Sequence, residues 1–182
     1  MSEVLVPEDA PVLHAKAKDV PKSMFGTPEL AAIIAKMRQG LHAYNAPGYV
    51  GVAIAAPQVG EPYRLFLVED MSKDRPPEEA LPSFVAINPT ITKRARKKVG
   101  VGEGCLSVPN HYGLVKRATN VTLTAYDETG AQFTRGAGGF LAQIIQHECD
   151  HLDGILFTDR AEKVFDKSEL QHAPSEAEVT NE

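Results

Sequence analysis

The chain of 182 residues has only two cysteines, Cys105 and Cys149. Two are too few for a disulfide framework, which excludes a small fold stapled for secretion. Positive charge is also in short supply. The formal net charge is -5, which removes general electrostatic attraction to nucleic acid and leaves only a local basic patch to supply it. No apolar run approaches about eighteen residues, so no membrane-spanning helix is expected. The first residues, MSEVLVPEDAPVLHAKAKDV, carry early Glu3, Glu8 and Asp9. They lack a basic segment followed by an apolar one, so no export signal is expected and the cytoplasm is the expected compartment. Internal repeats and an interdomain linker are missing as well.

What is present suits one soluble domain with a sizeable core: 43% of the residues are hydrophobic, an ordinary share. A single catalytic domain over residues 1–166 is expected. Residues 167–182 form an acidic, polar tail with Pro174 and almost no large apolar residue, and are expected to be flexible.

Two segments have helical periodicity. Thr27-Pro28-Glu29 offers an N-cap, a proline at the first helical position and an acid suited to the helix dipole. Leu30, Ile33, Ile34, Met37 and Leu41 then recur on one face, and the helix should end before Asn45-Ala46-Pro47-Gly48. A second helix is predicted after Gly138-Gly139, with apolar positions at Phe140, Leu141, Ile144, Ile145 and Leu152 and a stop at Gly154. Strands are predicted at 49–56, at 63–68 and at 84–87, the last closed by Asn88-Pro89, with a polar, proline-rich loop at 70–83. From Leu114 the chain alternates through Val121, Leu123 and Ala125 to the turn at Asp127-Glu128-Thr129-Gly130 and resumes with Gln132-Phe133-Thr134, a β-hairpin.

The second helix contains His147-Glu148-Cys149-Asp150-His151, an HExxH sequence. At about 100° per residue the two histidines lie roughly 40° apart and can hold one ion together. Glu148 sits roughly 60° from His151, close to the ion without competing for it, whereas Cys149 lies about 160° away and is a poor ligand candidate. A hydrolytic metal site needs a third protein ligand and one open position for water. The spacing that would supply a third histidine, HExxHxxGxxH, fails because Phe157 occupies that position. A downstream acid, best represented by Glu169, would make a zinc endopeptidase. A thiolate from Cys105, in Glu103-Gly104-Cys105-Leu106-Ser107-Val108-Pro109, would instead complete a Cys-His-His set. A closed four-ligand site in a binding module is the non-enzymatic alternative.

Three segments in chain order, Gly51-Val52-Ala53-Ile54-Ala55-Ala56-Pro57-Gln58, Glu103 to Ser107, and Gln146 to Leu152, resemble the GxGxAAxQ, EGCLS and QHExDHL motifs of the peptide deformylases. The likeness runs from about Thr27 to Asp159. It implies a metal-dependent hydrolase that removes the formyl group from the N-terminal formyl-methionine of new polypeptides. Cys105, His147 and His151 would hold one divalent ion, Fe2+ by family habit, with Zn2+, Ni2+ or Co2+ as substitutes. Glu148 would be the general base, and the Gln58 side-chain amide and the Leu106 N–H would stabilise the oxyanion. Glu103 would brace the site by polar contacts. Gln143, Ile144 and Phe140, one and two turns before His147, would line a methionine pocket, and extended substrate backbone would run near Val52 and Gly104. Two departures bear on substrate contact: Ala53 stands where the family has glycine, and His111-Tyr112-Gly113 stands where many relatives carry an arginine. With the likeness included, the expected fold is α+β. Antiparallel strands pack around a central HExxH-bearing helix, with the Thr27 to Asn45 helix on the outside.

One motif falls outside this picture. Lys93-Arg94-Ala95-Arg96-Lys97-Lys98 places five positive charges in six residues. Such a run is a solvated strand end or, for an enzyme acting on nascent chains, a transient ribosomal RNA contact. The expected protein partner is otherwise only the formyl-methionyl peptide, and a monomer is expected.

Overall fold

The computed structural model describes residues 4–43, 50–72, 76 and 80–166. It is a mixed fold of antiparallel sheets with few helices. The first helix, α1 (Pro28–Ala43), is followed by β1 (Ala53–Ala55), a 3-10 turn (Ala56–Val59), β2 (Leu65–Val68), β3 (Phe84–Arg94), β4 (Lys98–Cys105), β5 (Val108–Ala118), β6 (Asn120–Tyr126) and β7 (Gln132–Gly138). Then come α2 (Gly139–Leu152), the short α3 (Phe157–Arg160) and β8 (Lys163–Asp166). The strands form a five-stranded sheet ordered β1-β2-β3-β6-β7 and a three-stranded sheet ordered β4-β5-β8.

Side chains alternate across a strand, so a sheet covered on both faces can be apolar at every position. In β2 all four residues are buried: Phe66 and Val68 join one core with Ala142, Ile145, Cys149 and Leu152 of α2. Leu65 and Leu67 join a second core with Leu30, Ile33, Ile34, Met37 and Leu41 of α1. The five-stranded sheet is thereby covered by α2 on one face and α1 on the other. The Thr27 cap forms as expected, its Oγ1 accepting the Leu30 N–H at 3.3 Å. The expected stop at 45–48 lies outside the described residues, as do 167–182.

Several boundaries differ from the sequence reading. The strand expected over 49–56 is only Ala53–Ala55, because Pro57 opens a 3-10 turn directly after it. β3 does not stop at Asn88-Pro89. The ladder slips there between Ile87 and Thr90, Asn88 takes φ 49°, and proline, without an N–H, sits at the bulge. The Asn88 side chain is free to bind the Val20 backbone, accepting its N–H at 2.8 Å and donating to its carbonyl at 3.0 Å. The alternation from Leu114 to Ala125 is two strands in different sheets, parted at Thr119. The β4–β5 hairpin and β8 were not anticipated.

α2 ends at Gly154 in a Schellman motif. The Gly154 N–H reaches the His151 carbonyl at 3.1 Å and the Ile155 N–H reaches that of Asp150 at 2.9 Å, with Gly154 at φ 73°. A Cβ there would lie 2.9 Å from backbone carbons of His14 and Ala15. Left-handed strain alone costs about 1–3 kcal/mol for a residue with a side chain, and the clash adds to it. Gly154→Ala is therefore expected to lower the thermal midpoint by several degrees, read by circular dichroism.

Candidate metal centre

α2 presents two stripes to the sheets, one buried and one partly buried. Ala142, Ile145, Cys149 and Leu152 face the five-stranded sheet, which puts Cys149 in an apolar core where burial pushes its thiol up to about 12. The other stripe is polar and recurs at helical spacing: Gln143, Gln146, His147 and Asp150. Each of these four side chains binds β4 or β5. Gln143 donates to the Gly102 carbonyl at 2.8 Å. Gln146 accepts the Ala118 N–H and donates to its carbonyl, both at 3.0 Å. His147 Nδ1 meets Glu103 Oε2 at 3.0 Å, and Asp150 accepts from Arg117 at 2.6 Å.

The β4–β5 hairpin brings the third donor. Cys105 pairs with Val108 across a two-residue turn of Leu106 and Ser107, so the thiol projects from the tip of the hairpin towards the helix. Ligand atoms of Cys105, His147 and His151 lie within 4.8 Å of one another. Cys105 Sγ is 3.2 Å from His151 Nε2, and the two imidazoles stand edge-to-face at 4.9 Å. Burial opposes ionisation of Cys105, but the neighbouring His151 and His147 outweigh it and hold the thiol well below its ordinary range. Burial likewise opposes charge on His147, and the Cys105 and Glu103 groups outweigh it and raise the ring well above its ordinary value.

A thiolate and two imidazoles, with Nδ1 of His147 committed to Glu103, are the donor set of a single metal ion with room for a further ligand. Two polar atoms strengthen the fit. Among the described residues, His151 Nδ1 and Glu148 Oε2 are buried without a hydrogen-bond partner. The Glu148 carboxyl is pushed up to about 7 by burial, against the opposing attraction of His147 and His151.

Gln58 is fixed by its own loop. Its Oε1 accepts the Ala55 N–H at 2.8 Å, which turns its amide nitrogen towards Ser107 Oγ at 3.2 Å and Cys105 Sγ at 3.5 Å. A cavity of about 220 Å³ opens beside the cluster, lined by Val52, Gly104, Leu106, Ile144 and Glu148 among others. Gln143, Ala53, Glu103 and Phe140 also border it. The Ala53 methyl belongs to the core under α2. Tyr112 borders the same cavity and packs so tightly on Gly104 that a Cβ there would come within 2.7 Å of its ring.

Sequence reasoning missed what holds Glu103. Arg117 grips its carboxylate through two nitrogens at 2.7 and 2.8 Å and reaches Asp150 with a third. Asp150 is also bound by Arg160 of α3. Burial alone would raise the Glu103 carboxyl, but Arg117 and His147 outweigh it and hold it at about 2. Arg117 and Glu103 side chains are 5% and 2% exposed, so Arg117→Met leaves the buried Glu103 carboxylate without a guanidinium, while Asp150 keeps Arg160. Removing one partner of a buried pair costs about 3–5 kcal/mol, a loss to be read by chemical denaturation. The stabilisation from a depressed carboxyl is present above its ordinary value of 4.5 and is lost as pH falls towards 2. The variant should accordingly lose the wild-type acid transition in that window.

A family model described as polypeptide deformylase matches residues 2–167. The chain is 38% identical over 166 residues to peptide deformylase 1A, chloroplastic/mitochondrial, of Arabidopsis thaliana, covering 86% of this chain and 60% of that protein. It is 39% identical over 137 residues to peptide deformylase 1 of Nitrosomonas europaea, covering 75% of each. The Met-Ala-Ser-bound structure of class I type b peptide deformylase from Acinetobacter baumannii superposes with a TM-score of 0.77 at 32% identity, over 88% of this chain and 99% of that one.

Proposed function

From the premise that this chain belongs to the polypeptide deformylase family, we propose that it is a metallohydrolase cleaving the N-formyl amide of formyl-methionyl peptides to formate and a free N-terminus. The observation that carries this reading is the convergence of Cys105, His147 and His151 beside a buried, unpartnered carboxylate oxygen of Glu148. Cys105, His147 and His151 are the ligands, and α2 is the central, metal-bearing helix. When bound, the ion supplies Lewis acidity, polarising the formyl carbonyl and making a water molecule acidic near neutral pH. Fe2+ is our choice of native metal, with Zn2+, Ni2+ and Co2+ as substitutes, and anaerobic metal analysis decides it.

Glu148 takes the proton from the attacking water and passes it to the departing amine. A carboxyl tuned towards 7 can do both near neutral pH. The oxyanion formed from the formyl carbonyl is met by the amide of Gln58 and the N–H of Leu106. The Gln58 amide is oriented before substrate arrives by the Ala55 N–H on its Oε1, which limits the reorganisation needed when it turns from Ser107 to the oxyanion. Glu103 holds the His147 ring through Nδ1 and is itself held by Arg117, so its carboxylate is spent on the site's frame. Ile144, Gln143 and Phe140 form the methionine pocket. β4 is an edge strand of its sheet, and substrate backbone adds along it near Gly104, with Val52 across the cavity and Ala53 shaping the floor.

We place the enzyme in the cytoplasm as a monomer meeting nascent chains at the ribosome, with one catalytic domain over 1–166 and a tail over 167–182. Support for that setting is the pair of free cysteines and, among the described residues, the lack of a helix long and apolar enough to cross a membrane. The endopeptidase alternative needs Glu169, which lies outside the described residues, and the family match does not favour it. Release of formate from formyl-Met-Ala-Ser tests the assignment; a preparation holding one metal per chain yet releasing none would refute it.

A further inference from the structure

The crossover between the two sheets is a rigid cationic ribbon. Lys93 and Arg94 end β3, Lys98 begins β4, and Arg96 and Lys97 lie between them. All five are exposed. None joins any ion pair among the described residues. Among the described residues, the strand positions beside them carry no acid. Lys93, Arg94 and Lys98 face Thr122, Val121 and Ala118. The next strand over presents Gly136, Ala137 and Gly138, and Asn120 and Thr119 flank the turn. The backbone is pinned at both sides, the Ala95 N–H on the Asn120 carbonyl at 2.9 Å and the Thr119 N–H on that of Lys97 at 3.1 Å. Five uncompensated cations thus stand at fixed spacing on a chain whose formal net charge is -5.

We propose that the 93–98 ribbon docks on the phosphate backbone of RNA, a proposal that rests on the reading of this chain as an enzyme of nascent peptides made at an RNA-rich surface. Exposed cations on a pinned backbone, without acidic strand neighbours among the described residues, match a polyanion, and binding proceeds by release of its condensed counterions. The ribbon holds no large apolar side chain, its one uncharged residue being Ala95. It therefore lacks the apolar face that lets basic segments seat in a lipid surface. At about 3.3 Å per residue, β4 carries the chain roughly 23 Å from Lys98 to Cys105. RNA held at one end of β4 leaves the cavity at the other end open to a peptide.

The test is fluorescence anisotropy of a labelled RNA hairpin titrated with the full chain, alongside formate release from formyl-Met-Ala-Ser. Raising salt from about 50 to about 200 mM should weaken wild-type binding by roughly 100- to 500-fold, as expected for about five phosphate contacts. K93E/R96E/K98E should bind at least roughly ten-fold more weakly at the lower salt, and K93Q/R96Q/K98Q should show a flatter salt dependence. Peptide turnover should be unchanged in both, which also shows that both are folded. Equal RNA affinity and salt slope in wild type and the reversed variant would overturn the proposal. So would tighter wild-type binding to phosphatidylcholine vesicles containing phosphatidylserine than to RNA. Wild-type RNA binding lost on reversal, but with no formate released by any form, would uphold the ribbon and sink the deformylase reading instead.

Discussion

Cys105→Ala is expected to lose the metal and formate release together. Cys105 is one of three residues whose ligand atoms lie within 4.8 Å of one another, and without it the two imidazoles, one helical turn apart, would form a site of lower denticity and lower charge. Structural and catalytic zinc-type sites are built on at least three protein ligands, so the variant should purify with a small fraction of one metal per chain. Activity should fall by at least roughly a thousand-fold, since the Lewis acid is the largest electrostatic contributor to such hydrolyses. The fold should survive. Cys105 is only half-buried, and the hairpin around it is held independently by the bidentate Arg117–Glu103 pair and by Gln143 on Gly102. Metal content by elemental analysis and a far-ultraviolet spectrum would be measured together. A variant that kept full metal and turnover would transfer the third-ligand role elsewhere, as an endopeptidase with a downstream acid requires.

α1 and α2 were legible because their apolar residues repeat with the helical period, and the same geometry turned Cys149 away from the Cys105, His147 and His151 cluster, into the core. The hairpin bearing Cys105 was not legible as strands. Gly100, Gly102 and Gly104 alternate along β4, and glycine has neither β-propensity nor a side chain to reveal which face is buried. Of the three only Gly104 serves close approach, lying under the Tyr112 ring. The Leu114 to Ala125 alternation misled for a related reason. Leu114 and Val121 lie on opposite phases of a period of two, Leu114 being exposed and Val121 buried, and pattern alone does not show that the chain changes sheet at Thr119 between them.

The ion network around Glu103 was invisible for a different reason. Arg117 and Asp150 are charged residues separated from each other by 33 positions, and charge on its own reads as solvent exposure. A signal did exist. Gln143, Gln146, His147 and Asp150 form one continuous polar stripe on a helix whose opposite stripe is apolar, while both neighbouring positions Ile144 and Ile145 are apolar too. A helix nearly surrounded by apolar positions is buried, so a polar stripe within it must be satisfied by partners, and those partners must carry complementary groups. Arg117 was the buried cation that such a stripe demands.

Glu148→Gln should separate metal binding from chemistry. The substitution keeps the shape of a side chain that is 4% exposed and leaves Cys105, His147 and His151 untouched, so metal content should match wild type. The amide cannot accept the proton of water or return one to the leaving amine. Loss of a positioned general acid–base group costs about 10²–10⁴-fold, and because Glu148 serves both proton transfers the upper part of that range is expected in kcat. KM should move little, since Glu148 contributes a proton path and not a substrate pocket. The unpartnered Oε2 makes stability a second readout. Replacing a buried carboxyl that lacks a partner with a neutral amide removes a desolvation penalty, so the variant should melt no lower than wild type while turning over almost nothing. Full activity with the amide in place would take the proton transfers away from Glu148, and a stoichiometric loss of metal would show that this side chain holds the ion in place.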